Sequence, residues 1–254
     1  MTTSQSPGQY RAPARTLLWS EYLRASADTA AHWAALPRLT ARRDGDGHRV
    51  LVLPGLLADD SSTLLMRHVL HLRGYRPHGW ELGSNVGPTR HIAQGAVRRL
   101  AELSARGTGP VTLIGWSLGG VLARELARLA PEQVRGVITL GSPFRLTIDD
   151  DPATTHAGRI FHAFRPWHTP LLDHHEGEAE RPPLQVPATS IYSRLDGVVP
   201  WQACLDLPGP LRENVEVPAS HLGLGVHPLV LSVILDRLRQ PVGSWQPYST
   251  KLAA

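Results

Sequence analysis

From residue 49 onward the chain alternates short apolar runs of strand length with longer stretches of helical periodicity, and this alternation restricts the fold more than any other feature. The runs are RVLVLP (49–54), YRPHGWEL (75–82), VTLIGW (111–116), VRGVITLG (134–141), ATSIYS (188–193) and NVEVP (214–218). Between and after them the spacing predicts helices near residues 61–73, 89–105, 117–129 and 227–238. Apolar strands separated by amphipathic helices pack as a parallel sheet covered on both faces. An α/β class is therefore expected, with about six mostly parallel strands and helices on both sides.

With 254 residues and 42% hydrophobic content, the chain can bury one sizeable core,. The expected layout is a tail and helix over 1–48, one α/β domain over 49–240 and a tail over 241–254. Residues 142–186 break the rhythm, and an insertion of that length between two sheet strands reads as a cap or lid. Its Phe144, Phe161, Phe164 and Trp167 are candidates to line an apolar cleft; the alternative is a solvated excursion packed on its own side chains. Near the N-terminus, Leu18, Tyr22, Ala25, Thr29, Trp33 and Leu36 recur at helical spacing,. Pro37 is expected to end that helix, and its apolar side is expected to pack on the domain rather than lie on a membrane or over a site.

Composition narrows the function classes. The formal charge of +4 is mildly basic and, apart from Lys251, carried by arginine. The arginines are scattered, with no basic stripe interleaved with aromatics, so nucleic acid is not an expected partner. The single cysteine, Cys204, excludes an intramolecular disulfide and fits a reducing compartment,. The N-terminus shows no signal-peptide pattern. No stretch approaches the ~18 apolar residues that span a bilayer. A soluble, cytoplasmic protein without a transmembrane segment is expected; peripheral membrane contact and oligomeric state stay open.

The sharpest motif is Gly115-Trp116-Ser117-Leu118-Gly119, followed by Gly120. It lies directly after the run VTLI and directly before the helical stretch VLARELARLA. A serine on a sharp strand-to-helix turn needs tiny flanking residues, because larger Cβ atoms would clash there. Such a turn lifts the hydroxyl above the sheet edge, close to a helix N-terminus that favours developing negative charge. Ser117 is thus the candidate nucleophile.

Around this motif the chain resembles the α/β-hydrolase superfamily, in particular small bacterial lipases and esterases. The likeness is carried by VLVLPG, GWSLGG, ITLGSPF, YSRLDGVVP and SHLGL, and covers most of 49–240. It implies the chain order nucleophile, acid, histidine, met here by Ser117, Asp196 and His221. Pro54-Gly55 stands where family lipases commonly have His-Gly, and the usual leading antiparallel strands are not evident before residue 49.

Position selects the other partners. A serine hydroxyl needs a base, and His221 follows the sixth run at the carboxyl edge of the expected sheet. His227 is the rival, although Pro228 suggests that it starts a helix. Asp196, in YSRLDGVVP, is the preferred acid, with Gly197 permitting a tight turn; Asp149, Asp150 and Asp151 are the alternative. The expected oxyanion donors are the backbone amides of Leu118 and Leu56.

Asp173-His174-His175-Glu176 lacks the spacing of a helical zinc motif, and no metal is expected. No organic cofactor is expected either, and Cys204 reads as a packed side chain. The expected activity is hydrolysis of carboxylic esters, small-molecule or lipid, through an acyl-enzyme. Leu56, Leu57, Leu118, Val198, Val199 and Leu222 favour an apolar acyl chain. The alternatives are a thioesterase or acyltransferase with the same residues, and a noncatalytic binding protein on the same fold.

Overall fold

The computed structural model describes residues 10–107, 109–147, 150, 156–170 and 177–249. Six strands form its sheet: β1 (Arg49–Leu53), β2 (Arg76–Gly79), β3 (Val111–Trp116), β4 (Val134–Leu140), β5 (Ala188–Tyr192) and β6 (Arg212–Glu216). Their order is β2-β1-β3-β4-β5-β6, and every neighbouring pair is parallel. The central strands are rich in Val, Ile, Leu and Thr because they are buried on both faces,.

Alternation along each strand feeds two cores. Val50, Val52, Ile114 and Ile138 pack with α3 (Leu64–Leu72), α7 (Pro228–Arg239) and Leu39 of α2 (Glu21–Leu39). Leu51, Leu53, Leu113 and Val137 pack with α4 (Arg90–Ala105) and α5 (Leu118–Leu129). The chain leaves β1 for the edge strand β2 and then returns to β3 on the other side of β1. The loops after β1 and β3 therefore diverge, and the crevice they open is where ligands bind in sheets of this kind.

Several expectations needed adjustment. The helix expected near 61–73 begins with a 3₁₀ turn, Asp60–Thr63, before α3. The N-terminal helix forms as α1 (Arg15–Trp19) and α2, joined at Ser20, and Pro37 does not end it. Pro37 sits in the last turn of α2, and the chain closes at Thr40, whose amide and hydroxyl both donate to the Leu36 carbonyl. Its expected inward face is also wrong at two positions, since Tyr22 and Trp33 are exposed. The side turned to the domain instead carries Glu21, Asp28, His32 and Leu39. In the insertion, the described residues form α6 (His156–Phe164) and a 3₁₀ turn, Arg165–Trp167. Phe144 does not line a cleft: it is buried with the Arg124 guanidinium 3.9 Å above its ring. Trp167 is exposed, 6.2 Å from Phe164, and Phe161 lies 4.6 Å from His168.

Candidate active site

Ser117 occupies the single residue between β3 and α5, with φ 52° and ψ −122°. A non-glycine residue seldom adopts that region, at a cost on the order of 1–3 kcal/mol, so the surroundings must impose it. They do so sterically. A Cβ on Gly119 would run into the Leu53 carbonyl, and one on Gly115 would run into Gly120. The Ser117 amide donates to the Leu140 carbonyl at 2.8 Å, which locks the turn to the end of β4.

Asp196 and His221 meet across 25 residues of sequence. The imidazole Nδ1 lies 2.6 Å from Asp196 Oδ2, and both side chains are buried. The other carboxylate oxygen accepts from the amides of Val198 and Val199, each at 2.8 Å, which fixes its orientation. Burial disfavours the imidazolium, but the Asp196 charge and hydrogen bond, with the Glu21 charge behind them, outweigh it and raise the His221 pKa above the ordinary histidine value,.

Two contacts tie this pair to the Ser117 turn. Trp116, next to the serine, donates its indole N–H to the His221 carbonyl at 3.1 Å. Gly141, which follows β4 with φ 52°, lies under the pair: a Cβ there would sit 3.1 Å from His221 Nδ1 and 3.2 Å from Asp196 Oδ2. Gly55 closes the other side, its would-be Cβ 3.3 Å from Ser117 Cβ. Among the described residues, neither the Leu56 nor the Leu118 amide donates to a protein acceptor.

Known proteins agree with this architecture. A family profile described as "alpha/beta hydrolase fold" matches residues 96–167. Lipase B of Aspergillus fumigatus superposes with a TM-score of 0.60 at 17% identity, over 80% of this chain and 56% of that one. The thioesterase domain from the curacin biosynthetic pathway gives 0.53 at 15%, over 75% and 92%. The chain has the α/β-hydrolase fold. In sequence, the chain is 33% identical over 111 residues to the pimeloyl-[acyl-carrier protein] methyl ester esterase of Sodalis glossinidius, 42% of each chain. It spans at most 42% of the length of the curated relatives it matches.

Two supports of the candidate site were not read from the sequence. The first is Asn85, fully buried, in the loop after β2. Its side-chain amide donates to the Pro54 carbonyl at 2.8 Å, its own carbonyl accepts from Leu57 at 2.7 Å, and its amide donates to the Ala58 carbonyl at 2.8 Å. The turn that presents Leu56 is thus held on both sides, which allows Leu57 its φ of 62°. The insertion reaches the same loop, where Thr169 donates to Pro88 at 2.8 Å.

The second support is α2. Glu21, buried, accepts from Gly197 through Oε2 at 3.2 Å and from Leu222 through Oε1 at 2.9 Å. One carboxylate therefore clasps the residue after Asp196 and the residue after His221. Arg24 bonds Glu21 at 2.6 Å and the Leu195 carbonyl at 2.5 Å, and Asp28 accepts from the Ser220 hydroxyl at 2.6 Å. Gly197 is needed for close approach rather than for a turn, since a Cβ there would lie 2.5 Å from the Leu17 carbonyl oxygen. No local signal marks Glu21 as a clasp, because the two loops that it holds lie more than 170 residues away.

The rival residues have other occupations. His227 is the N-cap of α7, its Nδ1 accepting from Leu229 at 3.2 Å, and burial lowers its pKa. Asp150 accepts from the Thr147 amide at 2.7 Å; Asp149, Asp151 and the run 173–176 lie outside the described residues. Burial pushes the Cys204 thiol well above its usual value, consistent with a packed side chain,. Val199 is buried and serves Asp196 through its amide, whereas Leu57 and Leu222 are exposed. A cavity of about 370 Å³ beside Thr112, Val134 and Trp245 contains none of the candidate site residues. Among the described residues no group of three or more His, Cys, Asp or Glu could hold a metal ion, and no helix is long and apolar enough to cross a membrane.

Proposed function

We propose that this chain is a serine hydrolase that cleaves carboxylic esters with an apolar acyl chain through an acyl-enzyme. The observation that carries the reading is the buried Asp196–His221 hydrogen bond, tied through Trp116 to a strained serine turn at the same sheet edge. Ser117 Oγ attacks the acyl carbon while His221 Nε2 takes its proton, and the proton on Nδ1 stays bonded to Asp196. The carbonyl oxygen becomes an oxyanion received by the Leu56 and Leu118 amides. As the carbon–oxygen bond to the alcohol breaks, His221 returns the proton to the leaving oxygen. Water then attacks the acyl-enzyme by the same route and frees the acid and Ser117.

Leu57 and Leu222, exposed on either side of the site, offer apolar surface to an acyl chain. The match to a carrier-protein methyl ester esterase supports ester substrates. The fold likeness to a thioesterase domain favours one second reading, acyl-thioester cleavage or transfer by the same residues. Fluorophosphonate labelling followed by peptide mapping tests the first step. Modification at Ser117, lost in Ser117→Ala together with p-nitrophenyl ester turnover, is the expected result; turnover that survives in that variant removes the assignment. Matched esters and thioesters of rising chain length, with product analysis, separate the two readings.

A further inference from the structure

α1 and α2 are turned inside out. Their charged residues Glu21, Arg24 and Asp28 point at the domain, where they bond the loops around Asp196 and His221. Their outer side shows Trp19, Tyr22, Leu23 and Trp33, which are 78%, 79%, 75% and 56% exposed, with the small exposed Ser26 and Ala30 between them. These positions form one stripe at helical spacing. The rotation is not adjustable. Burying the aromatics would break the Glu21 and Asp28 bonds and the 3.0 Å contact of buried His32 with the Val226 carbonyl. A stripe of exposed large apolar side chains of this kind marks an interaction face.

Charge identifies the partner. Exposed arginines stand at both ends of the stripe, Arg11 and Arg15 at one and Arg38, Arg42 and Arg43 at the other. The only acidic residues between positions 10 and 43 are Glu21 and Asp28, both engaged on the inner side. A second copy of this chain fits poorly, because any two-fold pairing along the stripe sets arginines against arginines. Trp and Tyr joined to arginine match the boundary between acyl chains and anionic headgroups. Leu195 and Leu222, 42% and 36% exposed, are held through their backbones by Arg24 and Glu21 on the inner side of the helix.

We propose that the outer face of α1 and α2, whose inner face clasps the Asp196 and His221 loops, seats on an anionic lipid surface. This is independent of the catalytic reading, since binding is measured without turnover and Ser117→Ala protein should bind as the wild type does. The experiment is flotation of the full chain with phosphatidylcholine vesicles, with and without phosphatidylglycerol, at low and high salt. Wild-type protein should float with the anionic vesicles and lose binding as salt screens them. The triple variant Trp19→Ser/Tyr22→Ser/Leu23→Ser should bind at least about tenfold more weakly. Arg15→Gln and Arg38→Gln should each cost up to about fivefold. Leu129→Ser, which alters an exposed leucine on α5, should bind normally. Unchanged turnover of a short water-soluble ester and an unchanged melting temperature show that the triple variant is folded.

Three results would overturn the proposal. One is no preference of wild type for anionic vesicles, and another is equal binding by wild type and triple variant. The third is a stripe that binds something else: a dimer dispersed by the triple substitution, or saturable binding of a purified acidic carrier protein that the triple variant loses, without vesicle binding in either case.

Discussion

Ser117 sits in a turn whose shape is imposed by its immediate neighbours, whereas Asp196 and His221 are seated by a helix far away in the chain. At the serine, glycine contacts with Leu53 and Gly120 leave one path for the backbone. That half is steric and acts at van der Waals contact. At the Asp196–His221 pair, Glu21, Arg24 and Asp28 hold two loops that have no regular structure of their own. That half is electrostatic and long-range. The difference teaches where each half should fail: the turn through added volume or a lost hydroxyl, the pair through a lost hydrogen bond or a changed charge.

The largest effect tests the steric half. Ser117→Ala should lower kcat by about ten-thousandfold or more, with little change in melting temperature. Near-normal kcat would mean that the strained turn serves no chemistry.

Asp196→Asn should come next. The amide is close to isosteric, so the fold should survive, but it favours the wrong imidazole tautomer, and kcat should fall by roughly a thousandfold to ten-thousandfold. Fluorophosphonate labelling should slow in proportion. Full-rate labelling with unchanged kcat would detach Asp196 from the reaction.

Glu21→Gln addresses the long-range support directly and should lower kcat by about tenfold, within the range that misplacement can produce. The pH profile separates positioning from simple destabilisation. In the proposed mechanism His221 must be neutral to accept the serine proton; burial lowers its pKa, but Asp196 and then Glu21 outweigh this and raise it. In wild type, kcat/KM should therefore rise with pH through an apparent pKa above the ordinary histidine value. Removing the Glu21 charge weakens the imidazolium, so the acid limb should move to lower pH. A variant that only melts earlier, with an unmoved limb, would reduce Glu21 to a structural role.

The smallest effect contrasts the two candidate histidines. His227→Ala should cost about 1 kcal/mol of stability by removing the cap of α7 and leave kcat almost unchanged,. A large loss of kcat would reopen the choice between His221 and His227.

The sheet was legible because its strands are apolar on both faces and bounded by turns, a pattern that survives without tertiary knowledge. Five of the six expected runs contain their strands, and β6 begins only two residues earlier than expected, at Arg212. The serine turn was legible for a related reason, since its steric demand falls on adjacent residues. Asn85 was not legible: a lone asparagine in a loop looks the same whether it is solvated or, as here, buried between two turns. The N-terminal helix was legible as a helix and misread as to face. Periodicity reports that one side is apolar, but not which side meets the domain.

From the sequence came the alternating architecture and the sharp turn at Ser117, both of which depend on local sterics and periodic burial. Tertiary structure alone decided that Glu21 clasps the loops after Asp196 and His221, that Asn85 holds the turn presenting Leu56, and that the aromatic side of α2 faces outward. Those outcomes depend on hydrogen bonds between distant residues. Such bonds have strict distance requirements but no sequence period, so only the folded chain reveals them.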